Sequence, residues 1–418
     1  TPMTHRLIVT LAAVLLVGLI AAHDAHGAEA AGNLPEGYVS VKDYGAVGDG
    51  KADDTAAIRK AIEAAEIPFN PTAAPPGVIY FPPGHYRVTE TLKLATRNNK
   101  LVFQGAGGVS WFGGSPGEKR RHPFARTQII YDGPEGGTLF DVWGVQGLEF
   151  RNLAMLGSKK AGVLLRGNSP RGSASGRWLV QRCVFINADT AIELGAETKI
   201  NSDTMTFIDV FMRNLKTGFR TMCDQNVQYM FMRVDALNVE TAYHIVEGGA
   251  VNWIAAFARQ CDTVIRIDSG GINTGIYNAQ SLKVEGLISK KKRSVVLRAR
   301  GEVNVNFTSL NLVTAGAQHD LETASFDIGP GVQVGVDNSM LTGRIATLTG
   351  GEPTDLPAFI RFDNCRFRCN ADPRKKIALK GHAGFVLRDC MITVDEFTPE
   401  DYTVHSKEYV DEYRRMSK

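Results

Sequence analysis

Glu193, Arg220, His244 and Arg266 each occupy a short run of alternating apolar residues, with one run every 22 to 27 residues. If each run is a strand with its apolar residues turned inward, these four side chains point outward and form a row. An imidazole can take a proton near neutral pH, and guanidinium groups bind carboxylates in bidentate fashion. The set therefore suits removal of a proton next to a carboxylate, with the developing charge held by arginine. His244 is the candidate base, or Arg220 or Arg266 if a neighbour perturbs it, and the remaining arginines neutralise the carboxylate. Aligning the runs gives a first outward row of Leu164, Glu193, Arg220, His244, Arg266, Val296, Asp327 and Ala378, and a second of Arg166, Asp268, Arg298 and Lys380. Arg166, Asp268, Arg298 and Asp327 are the candidate ligand-binding residues. Hydrolytic chemistry would instead need two carboxyl groups about 5 to 9.5 Å apart. Glu193 with Asp224 or Asp268 are the pairs to consider. The alternative without chemistry is an exposed ladder of mutually satisfied charges.

The elements that would position this row come from a repeat. The pattern is apolar, any, apolar, any, a turn-former, apolar, any, apolar. It reads LEFRNLAM at 148–155, WLVQRCVF at 178–185, MTFIDVFM at 205–212 and YMFMRVDA at 229–236, then more weakly WIAAFARQ at 253–260 and YNAQSLKV at 277–284. Clearer copies return as VNFTSLNL at 305–312, VGVDNSML at 334–341, IRFDNCRF at 360–367 and FVLRDCMI at 385–392. Ten copies spaced by 24 to 30 residues are the signature of a solenoid. The alternation inside each copy is strand periodicity, not helical periodicity. The fifth position is Asn, Asp or Ser in seven copies: Asn152, Asp209, Ser281, Ser309, Asn338, Asn364 and Asp389. Such residues accept left-handed backbone conformations and satisfy turn amides. Each copy thus reads as strand, tight bend, strand, and a third strand follows, as in GVLLRG, AIELG, VIRID and SFDIG. Three short strands per repeat describe one coil of a parallel β-helix. The row from Glu193 to Asp327 would then run about 24 Å at strand spacing.

Ahead of the repeats stands VKDYGAVGDGKADDTAAIRKAIEAA, residues 41–65, followed by GVIYFPPGHYRV, residues 77–88. A glycine turn at Gly48 and Gly50 leads to Asp53 and Asp54, which can cap a helix with the apolar face Ala57, Ile58, Ala61, Ile62 and Ala65. A solenoid needs such an end piece to cover its open core and unpaired edge. The segment closely resembles the N-terminal signature of the pectate lyase superfamily, in its rhamnogalacturonase and epimerase-like branch. The matching residues are Asp43, Tyr44, Gly45, Ala46, Gly48, Asp49, Gly50, Asp53, Asp54, Thr55, Ala57, Ile58 and Ala61, then Gly77, Pro82, Gly84 and Tyr86. The resemblance implies an all-β chain, a right-handed single-stranded parallel β-helix with an N-terminal helical cap. The same signature precedes polysaccharide lyases, glycoside hydrolases, epimerases and phage tailspikes, so the reading of a pectate-lyase-like enzyme on a uronic-acid polysaccharide, ahead of a glycoside hydrolase or a non-catalytic binding or surface protein, rests on the charged row. Fold does not settle reaction. Polygalacturonase-type motifs are only partly echoed, by Asn201-Ser202-Asp203 and Gly381-His382-Ala383. The Asp cluster by which calcium-dependent pectate lyases hold their metal is not evident, so no cofactor is assigned and Ca²⁺ has no support.

The expected organisation is a signal peptide over residues 1–30, a β-helix domain over 31–395 that includes the cap at 39–90, and a C-terminal cap or tail over 396–418. The signal rests on Arg6, the apolar run Leu7 to Ala22, and the small residues Ala25, Gly27, Ala28 and Ala30. That run is short for a membrane span, and the destination it implies is periplasmic or extracellular. In the tail, Tyr409, Val410, Tyr413 and Met416 fall at helical spacing. Of 418 residues, 44% are hydrophobic and 22% charged, enough for a large core and too apolar for disorder. A formal net charge of +3 gives no footprint for nucleic acid. The basic stretches Gly117 to Arg126 and Lys290 to Arg293 read as solvated turns. Six cysteines are too few for a disulfide scaffold. Cys183, Cys365 and Cys390 share the inward sixth position, and Cys365 and Cys390, one coil apart, fall within the Cα window of a disulfide.

Overall fold

Each repeat folds as a coil of three strands with its alternating apolar residues turned inward. The computed structural model describes residues 34–66, 77–109, 125–223, 228–269, 275–285, 294–313, 323–352, 355–368 and 376–393, with two short strands beyond. From Gly37 onward the chain is a single unit. First strands of successive coils stack in parallel from Val78–Phe81 to Ala383–Arg388, within a 14-stranded sheet. Second and third strands build a sheet of 22 strands. Two coils precede the ten repeats, led by Val78–Phe81 and Val102–Gly105. The chain is a parallel β-helix.

The fifth-position bends explain the strand pairing. Asn152, Asp209, Ser281, Ser309, Asn338, Asn364 and Asp389 all have φ between 50° and 60°, and Arg182 and Arg233 adopt the same conformation at 49° and 52°. One copy is misregistered in the sequence pattern. At 253–260 the bend falls on Ala255, with φ 52°, so the inward residue after it is Ala256 at 2% exposure, and the repeat starts two residues earlier. The alternation in VNWIAAFARQ is weak enough to fit either frame.

A second left-handed bend joins the second and third strands in several coils, at Asn187, Asn214 and Asn238, with φ of 58°, 54° and 54°. Their side chains form a ladder. Asn214 Nδ2 donates to Asn187 Oδ1 at 3.0 Å, and Asn238 Nδ2 donates to Asn214 Oδ1 at 2.9 Å. Inside the solenoid, like positions stack: Phe207 on Phe231 at 4.7 Å between centroids, Phe231 on Trp253 at 6.0 Å, and Trp253 on Tyr277 at 6.4 Å. Each such pair adds about 0.5 to 1.5 kcal/mol beyond the area it buries.

At the N-terminal end the helix Thr55–Ala65 buries Ala57, Ile58, Ala61, Ile62 and Ala65. The two aspartates ahead of it divide the work differently from simple capping. Asp54, 1% exposed, accepts from the Val47 and Gly48 amides at 2.6 and 3.1 Å, holding the glycine turn. Asp53 accepts from the Thr55 amide at 3.1 Å and from the Thr89 hydroxyl at 2.6 Å. Gly48 has φ 68°, and a Cβ on Gly84 would lie 2.8 Å from the Gly48 carbonyl oxygen, so both glycines of the signature are needed for this close approach.

At the other end the helical reading of the tail is overturned. Tyr409–Asp411 pairs antiparallel with Ala383–Arg388, and Thr403–Val404 pairs antiparallel with Met391–Thr393. Tyr413 and Met416 lie outside the described residues, as do the apolar leader, Lys290 to Arg293 and most of the Gly117 to Arg126 stretch. Cys183, Cys223, Cys261, Cys365 and Cys390 are buried free thiols, so no disulfide links Cys365 to Cys390. Cys365 and Cys390 occupy the same inward position on neighbouring coils, as the repeat places them. Burial pushes the Cys183 and Cys261 thiols up to about 12, which keeps them protonated and unreactive.

Candidate functional site

The strand pairing settles which side chains share the outer row of the third strands. Asp141, Arg166 and Glu193 are successive partners. Glu193 leads to Arg220, Arg220 to His244 and His244 to Arg266. Arg266 then leads to Arg298, Arg298 to Asp327 and Asp327 to Thr347. Glu193, Arg220, His244, Arg266 and Asp327 thus stand in one row, as the sequence pattern predicts. Arg166 and Arg298 belong to that same row, not to a second one. Leu164 and Val296, which the pattern places outward, are core residues at 0% and 1% exposure. Those strands, Val163–Asn168 and Val295–Ala299, each open with a run of three apolar residues, which hides the phase. Asp268 lies two residues beyond Arg266, and Lys380 two beyond Ala378, off the row. Asp224 lies outside the described residues. Asp141 and Arg300 take part as well and were missed. Asp141 precedes the repeats that were aligned, and Arg300 follows the last residue of its strand.

The row is not bare positive charge. Three carboxylates on or beside it, Glu193, Asp268 and Asp327, are each held by two cationic or basic groups. Glu193, 6% exposed, accepts from Arg166 Nε at 3.1 Å and lies 3.6 Å from Arg220 Nη1. Arg298 Nε and Arg300 Nη2 both donate to Asp327, at 3.0 and 2.9 Å. Between these, Asp268 holds Arg266 by two bonds, at 2.8 and 3.2 Å, and His244 Nε2 at 2.8 Å. No two of Asp141, Glu193, Asp268 and Asp327 sit on adjacent coils, so their backbones are separated by about 10 Å or more. A further carboxyl, Glu197, lies 3.6 Å from Nη1 of the same Arg166 that holds Glu193.

His244 is the group best placed to move a proton. Burial lowers its proton affinity, the neighbouring Arg266 and Arg220 lower it further, and the bond to Asp268 only partly offsets them, so the ring is neutral near pH 7. Burial pushes the Asp268 carboxyl up, but hydrogen bonds from Arg266 and His244 outweigh this and hold it below the usual carboxylate range. An ionised Asp268 accepts from Nε2–H, which leaves the lone pair on Nδ1. A neutral, oriented imidazole thus stands one coil from a guanidinium on either side. Among the described residues no group of three or more His, Cys, Asp or Glu converges as metal ligands, and no helix is long and apolar enough to cross a membrane.

One further perturbed carboxyl lies away from the row. Burial raises Asp235 to about 6, with Arg259 pulling it down and Asp209 pushing it up. It sits on the second strand of its coil, in register with Phe211 and Phe257, on another face of the solenoid.

The chain is thus a parallel β-helix with an outward row of charged side chains along its stacked third strands. Residues 38–143 match the family described as rhamnogalacturonase A/epimerase, pectate lyase-like. Mannuronan C5-epimerase AlgE6 of Azotobacter vinelandii is 33% identical over 123 residues, which is 25% of this chain and 13% of that protein. AlgE3 of the same organism is 54% identical over 50 residues, 12% of this chain and 2% of its own length. The chain matches only a small part of these relatives. Among solved structures, the catalytic unit of a GH87 α-1,3-glucanase from Streptomyces thermodiastaticus has a TM-score of 0.51 at 16% identity, covering 85% of this chain and 70% of that one. The Agl-KA catalytic domain has a TM-score of 0.52 at 15% identity, covering 86% and 70%. These likenesses show the fold.

Proposed function

We propose that the chain is an exported enzyme acting on a uronic-acid polysaccharide, and that its reaction begins with His244 removing the proton next to a uronate carboxylate. The observation that carries this reading is the neutral His244, oriented by Asp268, between Arg220 and Arg266 in the outward row. A uronate carboxylate bound to either arginine places its α-carbon toward the imidazole. Nδ1 takes the proton, and the guanidinium neutralises the charge that spreads onto the carboxylate. The pair of electrons then expels the glycosidic oxygen, which leaves an unsaturated end, as in a polysaccharide lyase. Reprotonation on the opposite face would instead give an epimerase, and the similarity to mannuronan C5-epimerases favours keeping that as a second outcome of the same first step. Glycoside hydrolysis is the alternative reading, and it would draw on a pair of carboxyl groups such as Glu193 and Glu197, which share Arg166.

The test is a panel of uronic-acid and neutral polysaccharides, read for ultraviolet-absorbing unsaturated ends, for inverted uronate and for new reducing ends. Unsaturated ends that vanish in His244→Ala are the expected result. Reducing ends without that absorbance would establish hydrolysis, and binding without any product would leave a non-catalytic glycan-binding protein.

A further inference from the structure

Trp143 closes the strand Thr138–Trp143, two residues past Asp141, which with Lys93 of the preceding coil stands near the N-terminal end of the charged row. It differs from Trp178 and Trp253, which are 1% exposed and belong to the core. Trp143 is only partly buried, and it stands in register with Asn168 of the next coil. Its indole N–H donates to Asp141 Oδ2 at 3.1 Å, which fixes the ring by its polar edge.

The connection that follows the next coil is fastened beside it. Ser173 donates its hydroxyl to the Gly144 carbonyl at 3.3 Å, and the Gln146 side chain donates to the Ala174 carbonyl at 2.8 Å. Ser175 bonds the Asn168 carbonyl at 2.8 Å, and Ser169 bonds the Asn201 carbonyl at 2.6 Å. This glycine- and serine-rich insert is therefore a fixed wall.

The ring is held by its polar edge and is only partly buried, and the C–H face of a pyranose is the complement that an aromatic face suits. We propose that Trp143 is a stacking subsite for one sugar ring near the N-terminal end of the row, walled by residues 168–176. The proposal rests on the reading of the row as a glycan cleft. Trp143 lies four coils from His244, about 19 Å at strand spacing. A short oligosaccharide held at His244 cannot reach it, whereas a longer one spans both points.

The experiment measures binding, not turnover. Uronic-acid oligosaccharides of graded length are titrated by calorimetry into the wild type, Trp143→Ala and Trp143→Phe, with the melting temperature of each recorded. Trp143→Ala should weaken the longer oligosaccharides about tenfold, leave the shortest ones unchanged and leave the melting temperature in place, and Trp143→Phe should recover most of the loss. Equal weakening at all lengths, no weakening at any length, or no binding by any oligosaccharide would each overturn the subsite. Length-dependent binding through Trp143 without any product would keep the subsite and sink the proposed reaction.

Discussion

His244 carries the chemistry of this account, and its surroundings give it a pH signature. Burial and the flanking arginines hold its proton affinity below that of an ordinary histidine, so the neutral base persists to lower pH than an exposed imidazole would. The rate of uronate proton removal should therefore fall on the acid side through a pKa below the usual histidine value. Asp268→Asn removes the carboxylate that opposes this shift. The acid limb should move to still lower pH and the maximal rate should drop about 10²-fold or more as orientation is lost. An acid limb that moves upward would contradict the assignment. Glu193, Arg220, His244, Arg266 and Asp327 were legible from the period alone, because an outward residue between inward ones has only one place to go. Their partners were not. That Asp268 binds both Arg266 and His244, or that Glu193 is buried beneath two arginines, depends on rotamers and coil-to-coil offsets that spacing does not encode.

The coil owes its shape to the left-handed bend after its first strand, and here the sequence was informative for a physical reason. Asn, Asp and Ser stand at that bend in seven copies because their short polar side chains tolerate positive φ. Where the bend falls on Ala255, the side chain gives no such signal, and the repeat can be read two residues out of frame. Ala255 is exposed and pays the steric cost of a left-handed alanine. Ala255→Asn should stabilise the protein by about 0.5 to 1 kcal/mol, and Ala255→Val should destabilise it by a similar amount. Thermal unfolding of the two variants beside the wild type checks this, and a stabilising valine would refute the bend. The second bend at Asn187, Asn214 and Asn238 escaped notice because its asparagines recur in only a few coils.

At the scale of the whole molecule, no single coil holds a site. Each contributes one or two outward side chains, and only stacking brings Arg220 and Arg266 each within one coil of His244. Ten of the coils and the helical N-terminal plug were readable from the repeat and the Asp-Gly signature, whose residues prove to be structural, while the two coils led by Val78–Phe81 and Val102–Gly105 lack the pattern. The tail was misread because apolar residues at helical spacing in a short segment also suit a strand that pairs with the last coil. The central claim is that the stacked row removes the proton next to a uronate carboxylate. The most direct measurement is incubation of a polyuronate in heavy water with the wild type and with His244→Ala, followed by analysis of every product and of the recovered polymer. The account predicts that the wild type removes the α-hydrogen, with either an unsaturated product lacking it or deuterium in its place, and that His244→Ala does neither. Cleavage that leaves every α-hydrogen in place, or full exchange in His244→Ala, would contradict it.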